Sequence, residues 1–164
     1  RFDRAILASH ADQSLAMLED PTPIEREILG AFGYQRNQVA LHTDARMLPQ
    51  RRLAWASWNY RVPRGAHDHS SVTYYMNRLQ SLQAEDEFCV TLNANGDIRD
   101  EPRIRDLVYE HPILDTAAAA MQPRQDQLNA QGPVSYCGAY WGFGFHEDGV
   151  RSALAATREF GVTL

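Results

Sequence analysis

Twelve residues near the end of the chain, Gly138-Ala139-Tyr140-Trp141-Gly142-Phe143-Gly144-Phe145-His146-Glu147-Asp148-Gly149, combine four glycines with four aromatics. They lie between an apolar run, Val134-Ser135-Tyr136-Cys137, that reads as a buried strand, and a helical pattern carried by Val150, Ala153, Leu154, Thr157 and Phe160. Glycine lets backbone come close to a ligand, and the first-turn amides of a helix present unpaired N–H groups at the positive end of its dipole. Such a loop suits an anion or an electron-rich ring. The same composition also describes a tight structural turn whose rings pack into the core. Gly142-Phe143-Gly144 is not a dinucleotide pyrophosphate fingerprint, because Glu147 stands where the third glycine belongs and only 15 residues follow Gly149. A dinucleotide bound here would meet the loop with a different part of itself.

His146-Glu147-Asp148 sets an imidazole beside two carboxylates. A histidine near a reacting centre moves protons near neutral pH, which makes His146 the candidate for proton transfer or tuning. The two carboxylates at a helix start are equally explained as caps favoured by the dipole. Glu110-His111-Pro112 is a similar pair and reads as a strand end. His67-Asp68-His69 would put two imidazoles on one face of a strand, which suits a divalent metal. It falls instead in a turn-rich stretch, and a third ligand such as His42 or Asp44 is not brought near by anything in the sequence. No metal site is expected. Cys137 adjoins the glycine loop, but an apolar strand cysteine reads as a small core residue rather than a covalent attachment point.

These groups need elements to hold them. Phe2 to Ala8 reads as a short buried strand, and Ser9 to Asp12 as the turn and cap before a helix carrying Leu15 and Leu18. Thr22, Pro23 and Glu25 form a capping box for a second helix, whose stripe is Ile24, Ile28, Leu29 and Phe32 and which Gly33 closes. From Gln35 to Asn93 the period changes to two, with strands expected at Val39 to Thr43, Leu53 to Asn59, Val72 to Asn77 and Phe88 to Asn93. Turns are expected at Pro49, at Pro63 to Ser71 and at Asn95-Gly96. A further extended piece, Leu107 to His111, stops at Pro112. Asp115 then caps an alanine-rich helix that Pro123 bends or ends.

The chain has 164 residues, 44% hydrophobic and 23% charged, which is one globular domain's worth of sequence. No window is apolar enough to span a bilayer. The net charge is -5 and all 16 basic residues are arginine, which disfavours nucleic acid and anionic membranes. Arg51-Arg52, Arg61 and Arg64 are the nearest approach to a basic cluster and read as a solvated face. Two cysteines, Cys89 and Cys137, are too few for a disulfide framework, so a cytoplasmic location is expected. The opening residues lack a signal peptide and an initiating Met, and the chain is expected to begin inside a longer protein.

The ending from Tyr136 to Ala156 resembles the C-terminal flavin-contacting segment of FAD-dependent amine oxidoreductases, and most closely the bacterial branch described as predicted NAD/FAD-binding proteins. The opening Phe2-Asp3-Arg4-Ala5-Ile6-Leu7-Ala8-Ser9-His10 resembles the family strand that returns from the substrate domain to the FAD domain. The resemblance covers the whole chain, read as a C-terminal half. It implies that Gly138, Ala139, Tyr140, Trp141, Gly142, Gly144, Glu147, Asp148, Gly149 and Ser152 contact FAD. It also implies that the helix beginning near Asp148-Gly149 points its N-terminus at the flavin pyrimidine edge, where a dipole stabilises the negative charge of the reduced ring by up to about 2 kcal/mol. Phe145 falls where many members carry an aromatic that flanks the substrate. Three family features are absent: the N-terminal glycine-rich fingerprint, the lysine that many amine oxidases place near flavin N5, and the acidic residue after the first glycine of the closing motif.

The fold expected is α+β: a mainly antiparallel substrate-domain sheet with flanking helices, plus the C-terminal strand-loop-helix of an FAD-binding domain. The expected segments are 1–20, returning to the FAD domain; 21–132, binding substrate; and 133–164, contacting FAD. The resemblance implies the C-terminal portion of an oxidoreductase with non-covalent FAD. Hydride would pass from a small organic substrate, at an amine or C–H bond, to flavin N5, with His146 and Phe145 beside the reaction. Trp55, Trp58, Tyr74 and Tyr75 alternate along two strands, so one of each pair would face the substrate. The partner implied is the N-terminal dinucleotide-binding half of the same protein, without which the fragment would be inactive. The alternatives are a cofactor-free α+β domain binding a small ligand or a partner chain, and a metal enzyme built on His67 and His69.

Overall fold

The computed structural model describes residues 2–62, 70–94 and 96–161, with the side chain of Glu159 left aside. Its strands are β1 (Ala5–Leu7), β2 (Tyr34–His42), β3 (Trp58–Arg61), β4 (Ser71–Tyr75), β5 (Cys89–Leu92), β6 (Arg103–Pro112) and β7 (Val134–Tyr136). The helices are α1 (Ala11–Ala16), α2 (Pro23–Leu29), α3 (Met76–Leu79), α4 (Thr116–Met121), α5 (Gln125–Asn129) and α6 (His146–Thr157). The fold is α+β. The chain groups into two compact units, Arg1–Gln35 with His111–Leu164, and Arg36–Glu110. His67, Asp68, His69, Arg64 and the Pro63 to Ser71 turn lie wholly or mostly outside the described residues, as does Asn95.

The second unit holds a five-stranded sheet in the order β3-β4-β5-β2-β6. Its two faces divide sharply by chemistry. Thr73 lies opposite Thr91, Ala40 opposite Thr91 and His42 opposite Cys89, so a polar stripe crosses the buried face. His42, Thr91 and Cys89 are fully buried there. His42 Nδ1 accepts the Asp44 amide at 3.0 Å, which leaves the proton on Nε2. Nε2 donates to Thr91 Oγ1 at 2.7 Å, and the Thr91 and Thr73 hydroxyls share a hydrogen bond at 2.9 Å. Every buried polar group in the stripe is thereby matched. The opposite face carries Leu41, Val72, Tyr74, Val90, Leu92 and Trp58, and is only half-buried.

Trp58 pairs across strands with Tyr74, ring centroids 6.4 Å apart, on that half-buried apolar face. Trp55 is not on a strand. The strand expected over Leu53 to Asn59 forms only from Trp58, because Arg52–Ala54 is a 3-10 turn. The Trp55 indole N–H donates to the Pro49 carbonyl at 2.7 Å, its ring meets Tyr75 edge-on, and Arg52 stacks over it at 4.8 Å. Those contacts fix the turn and leave Leu53 fully exposed, against the period-two pattern. At its outer side the sheet ends on β6, joined to β2 by hydrogen bonds from Thr43 N to Pro102 O and from Ile113 N to Gly33 O.

The first unit is built around the parallel pair β1–β7, in register Ala5 to Val134 and Leu7 to Tyr136. Helix α2 starts as its sequence dictates: the Thr22 hydroxyl accepts the Glu25 amide at 3.3 Å, and Glu25 returns to the Thr22 amide at 2.7 Å. Ile28, Leu29, Phe32, Leu128, Tyr136 and Tyr140 form the core. Glu25 uses its other oxygen on the buried Tyr136 hydroxyl, 2.5 Å away and 111 residues along the chain. One carboxylate thus caps a helix and anchors a strand. Tyr136→Phe is expected to lower the stability of this unit by about 2 kcal/mol, as befits a lost hydrogen bond to a charged acceptor; urea titration read from Phe32 and Leu128 NMR signals will measure it.

Candidate functional site

The glycine-aromatic loop forms a strand, a tight turn and a helix in sequence. After β7 the chain passes Cys137 and Gly138, makes a 3-10 turn over Ala139–Trp141, and enters α6 at His146, two residues earlier than the sequence suggested. Gly144 takes a left-handed φ of +86°, with open space where a side chain would stand. Its amide and that of Gly142 both donate to the Ala139 carbonyl at 3.1 Å. Asp148 closes the loop: one carboxylate oxygen accepts the Phe143 and Phe145 amides, each at 3.0 Å. This carboxylate is therefore occupied by the loop's own backbone. Glu147 points outward and pairs with Arg151 at 3.3 Å.

The loop has an inner and an outer side. Tyr140 and Trp141 turn inward, edge-on to Phe32 at 4.9 and 5.3 Å. Burial pushes the Tyr140 phenol well up, and neither its oxygen nor the Trp141 indole nitrogen meets a hydrogen-bond partner among the described residues. Ser152 is also internal: its hydroxyl accepts the Gly138 amide at 2.8 Å and donates to the Gly149 carbonyl at 2.9 Å. Phe143, Phe145 and His146 turn outward, Phe143 being 78% and Phe145 59% exposed. The first two amides of α6, those of His146 and Glu147, have no intrahelical acceptor, and both residues are exposed. Among the proposed contacts, then, Gly144, Glu147 and the start of α6 are open, while Tyr140, Trp141 and Ser152 are internal.

Helix α6 packs through small residues. Ser152 and Ala156 are its buried positions, whereas Val150 and Phe160, expected in one apolar stripe, are each 44% exposed. A small-residue face lets the helix lie close to β7 and α5. Three side chains that sequence reasoning passed over hold this arrangement. Gln122 Nε2 donates to the Tyr140 and Gly142 carbonyls at 3.1 and 2.6 Å; Gln125 Nε2 donates to the Tyr136 and Ser152 carbonyls at 3.0 and 2.9 Å. Asn129 exchanges hydrogen bonds with the Tyr136 backbone. Their spacing, i, i+3 and i+7, was a readable signal of one helical face. What obscured it was Pro123, which breaks the segment into α4, a 3-10 turn over Gln122–Arg124, and α5.

His10 stacks on Tyr34 with centroids 4.4 Å apart, and the Tyr34 hydroxyl accepts the Ala11 amide. Burial pushes the Tyr34 phenol up to about 12. Cys137 and Cys89 are free and buried, and burial raises both thiols. Glu110 and His111 lie at the exposed end of β6. Among the described residues no three histidine, cysteine or acidic side chains converge as a metal site would need, and no helix is long and apolar enough to cross a membrane.

No protein-family model matches the chain, and no curated protein is similar enough to be counted a relative. Among solved structures, one from Exiguobacterium sp. 255-15, named "Putative protoporphyrinogen oxidase", matches 98% of this chain with a TM-score of 0.55 and 13% sequence identity. At that identity the likeness is one of fold. The chain spans 42% of the length of this structural neighbour.

Proposed function

We propose that this chain is the C-terminal portion of an FAD-dependent oxidoreductase, with residues 138–152 contacting a non-covalently held flavin. The observation that carries the reading is the outer side of the loop. A 12-residue helix opens there with free first-turn amides, beside an unobstructed left-handed Gly144 and two exposed aromatic rings. A planar, electron-rich ring system fits such a surface, since Phe143 and Phe145 offer apolar faces and the helix start offers positive potential. The fold likeness to a structure named as an oxidase supports the same reading.

When bound, FAD supplies the hydride acceptor at N5 for an amine or C–H bond of a small organic substrate. The chain's own residues do the rest. The amides of His146 and Glu147 face the negative charge that reduction brings. Phe145 packs beside the substrate, and His146, exposed at the first position of α6, takes or returns its proton. Ser152 and Asp148 keep the loop backbone in place from within. The pair β1–β7 supports an N-terminal dinucleotide-binding half as partner: parallel sheets are normally wide and covered on both faces, yet here Ala5 is exposed and Ile6 is 41% exposed.

The test is the visible absorption spectrum of the protein expressed from its complete natural reading frame and purified without added cofactor. Oxidised-flavin bands released by acid precipitation support the reading. A colourless protein that also takes up no FAD on incubation overturns it in favour of a cofactor-free binding domain.

A further inference from the structure

We propose that Gln122 is a positioning residue for the cofactor loop, setting which backbone groups residues 139–146 present to a flavin; this rests on the reading of that loop as an FAD contact. Its carboxamide nitrogen binds two carbonyls that flank Trp141, those of Tyr140 and Gly142. Both carbonyl dipoles are thereby held toward the 3-10 turn that carries Gln122. They would otherwise compete with the ring's own acceptors. With them held inward, what the loop offers outward is the Gly144 backbone, the aromatic rings and the free amides at the start of α6. Two donors on one nitrogen are what the geometry asks for, and among uncharged side chains only a carboxamide reaching from this position supplies them. Gln125, three residues on, reaches β7 and α6 through the Tyr136 and Ser152 carbonyls, so the two carboxamides hold the loop from its turn and from its flanking elements.

Two substitutions test the assignment. Gln122→Met keeps the length and removes both donors. Gln122→Glu keeps the shape but sets a carboxylate against two carbonyls, and regains one donor only when protonated, at a pH raised by those neighbours. With FAD as the probe and the protein from its complete reading frame, Gln122→Met is expected to bind about tenfold more weakly than wild type at every pH. Gln122→Glu is expected to bind at least as weakly at about pH 8, and to recover toward wild type at about pH 5. A glutamine whose bonds to these carbonyls do not shape the loop's face toward FAD would give no such pH rescue of affinity. In the flavin-free protein, amide exchange of Gly142 and Gly144 is expected to quicken about tenfold in Gln122→Met.

Equal FAD affinity in Gln122→Met and wild type overturns the proposal, and so do unchanged exchange rates at Gly142 and Gly144. Should Gln122→Met fail to fold, the absence of pH rescue in Gln122→Glu overturns it instead. If wild type takes up no FAD at all, the flavin reading falls, and the exchange rates alone decide whether Gln122 sets the loop.

Discussion

Gly142→Ala is expected to lower the stability of the first unit by about 2–3 kcal/mol, the larger end of what overpacking a well-filled site costs. An alanine Cβ at this position would stand 2.4 Å from Asp148 Cγ, 2.5 Å from its Oδ1 and 2.7 Å from its Cβ. The carboxylate cannot simply swing aside, because it holds the Phe143 and Phe145 amides. Moving it would free both amides and open the turn that leads into α6. Gly144→Ala makes the control. Nothing lies within 4 Å there, so that variant bears only the strain of a left-handed φ, about 1 kcal/mol. The double variant Gly142→Ala/Asp148→Ala removes the two shortest approaches and leaves only the one to Cβ at 2.7 Å, so its loss should be smaller than the sum of the two single losses. Urea titrations of wild type, the three single variants and the double variant measure all of this. A Gly142→Ala protein within about 0.5 kcal/mol of wild type would show that Asp148 is not fixed as described.

What the sequence made legible follows from how local each signal is. The α2 capping box needs only Thr22, Pro23 and Glu25, all within four residues, and it forms as read. Period-two alternation placed β4 and β5 to within two residues at each end, and it found β2 but for its first five residues. It failed at Leu53 to Asn59, where Trp55 finds its partners in Pro49, Arg52 and Tyr75 and pulls the backbone into a turn. The closing loop was recognisable from its glycines and aromatics, but which rings turn inward was not. Tyr140 and Trp141 are buried because Phe32, more than a hundred residues earlier, receives them. Gln122 and Gln125 were missed for a related reason: Pro123 hides their common helical face, and their targets are carbonyls of other elements.

Acid should unfold the second unit in two steps, the first of them set by His42. This imidazole is fully buried, and burial lowers its pKa below the ordinary 6.5; the Arg103 charge pushes the same way, while Asp44 opposes both. Protonation would also put a second N–H on Nδ1, against the Asp44 amide that now donates to it. The neutral form is therefore the folded form. A group whose folded pKa is depressed contributes its full stability above the unfolded pKa and loses it as pH falls through the folded one. Stability should hold above about pH 6.5 and then fall by about 1.4 kcal/mol per pH unit until the lowered folded pKa is reached. Asp44 adds the second step. The Arg46 guanidinium, with the Arg99 and Arg46 amides, holds its carboxyl down at about 2 against an ordinary 3.8, so its share is lost only in that lower range. His42→Gln can still accept from Asp44 and donate to Thr91, but cannot take up a proton. It should be less stable than wild type at pH 8, flat through the His42 window, and parallel to wild type in the Asp44 window. Urea midpoints read from the Thr73 and Thr91 amide signals at successive pH values follow this unit specifically. A wild-type profile as flat as that of His42→Gln above the carboxylate range would remove His42 as the origin of the acid sensitivity.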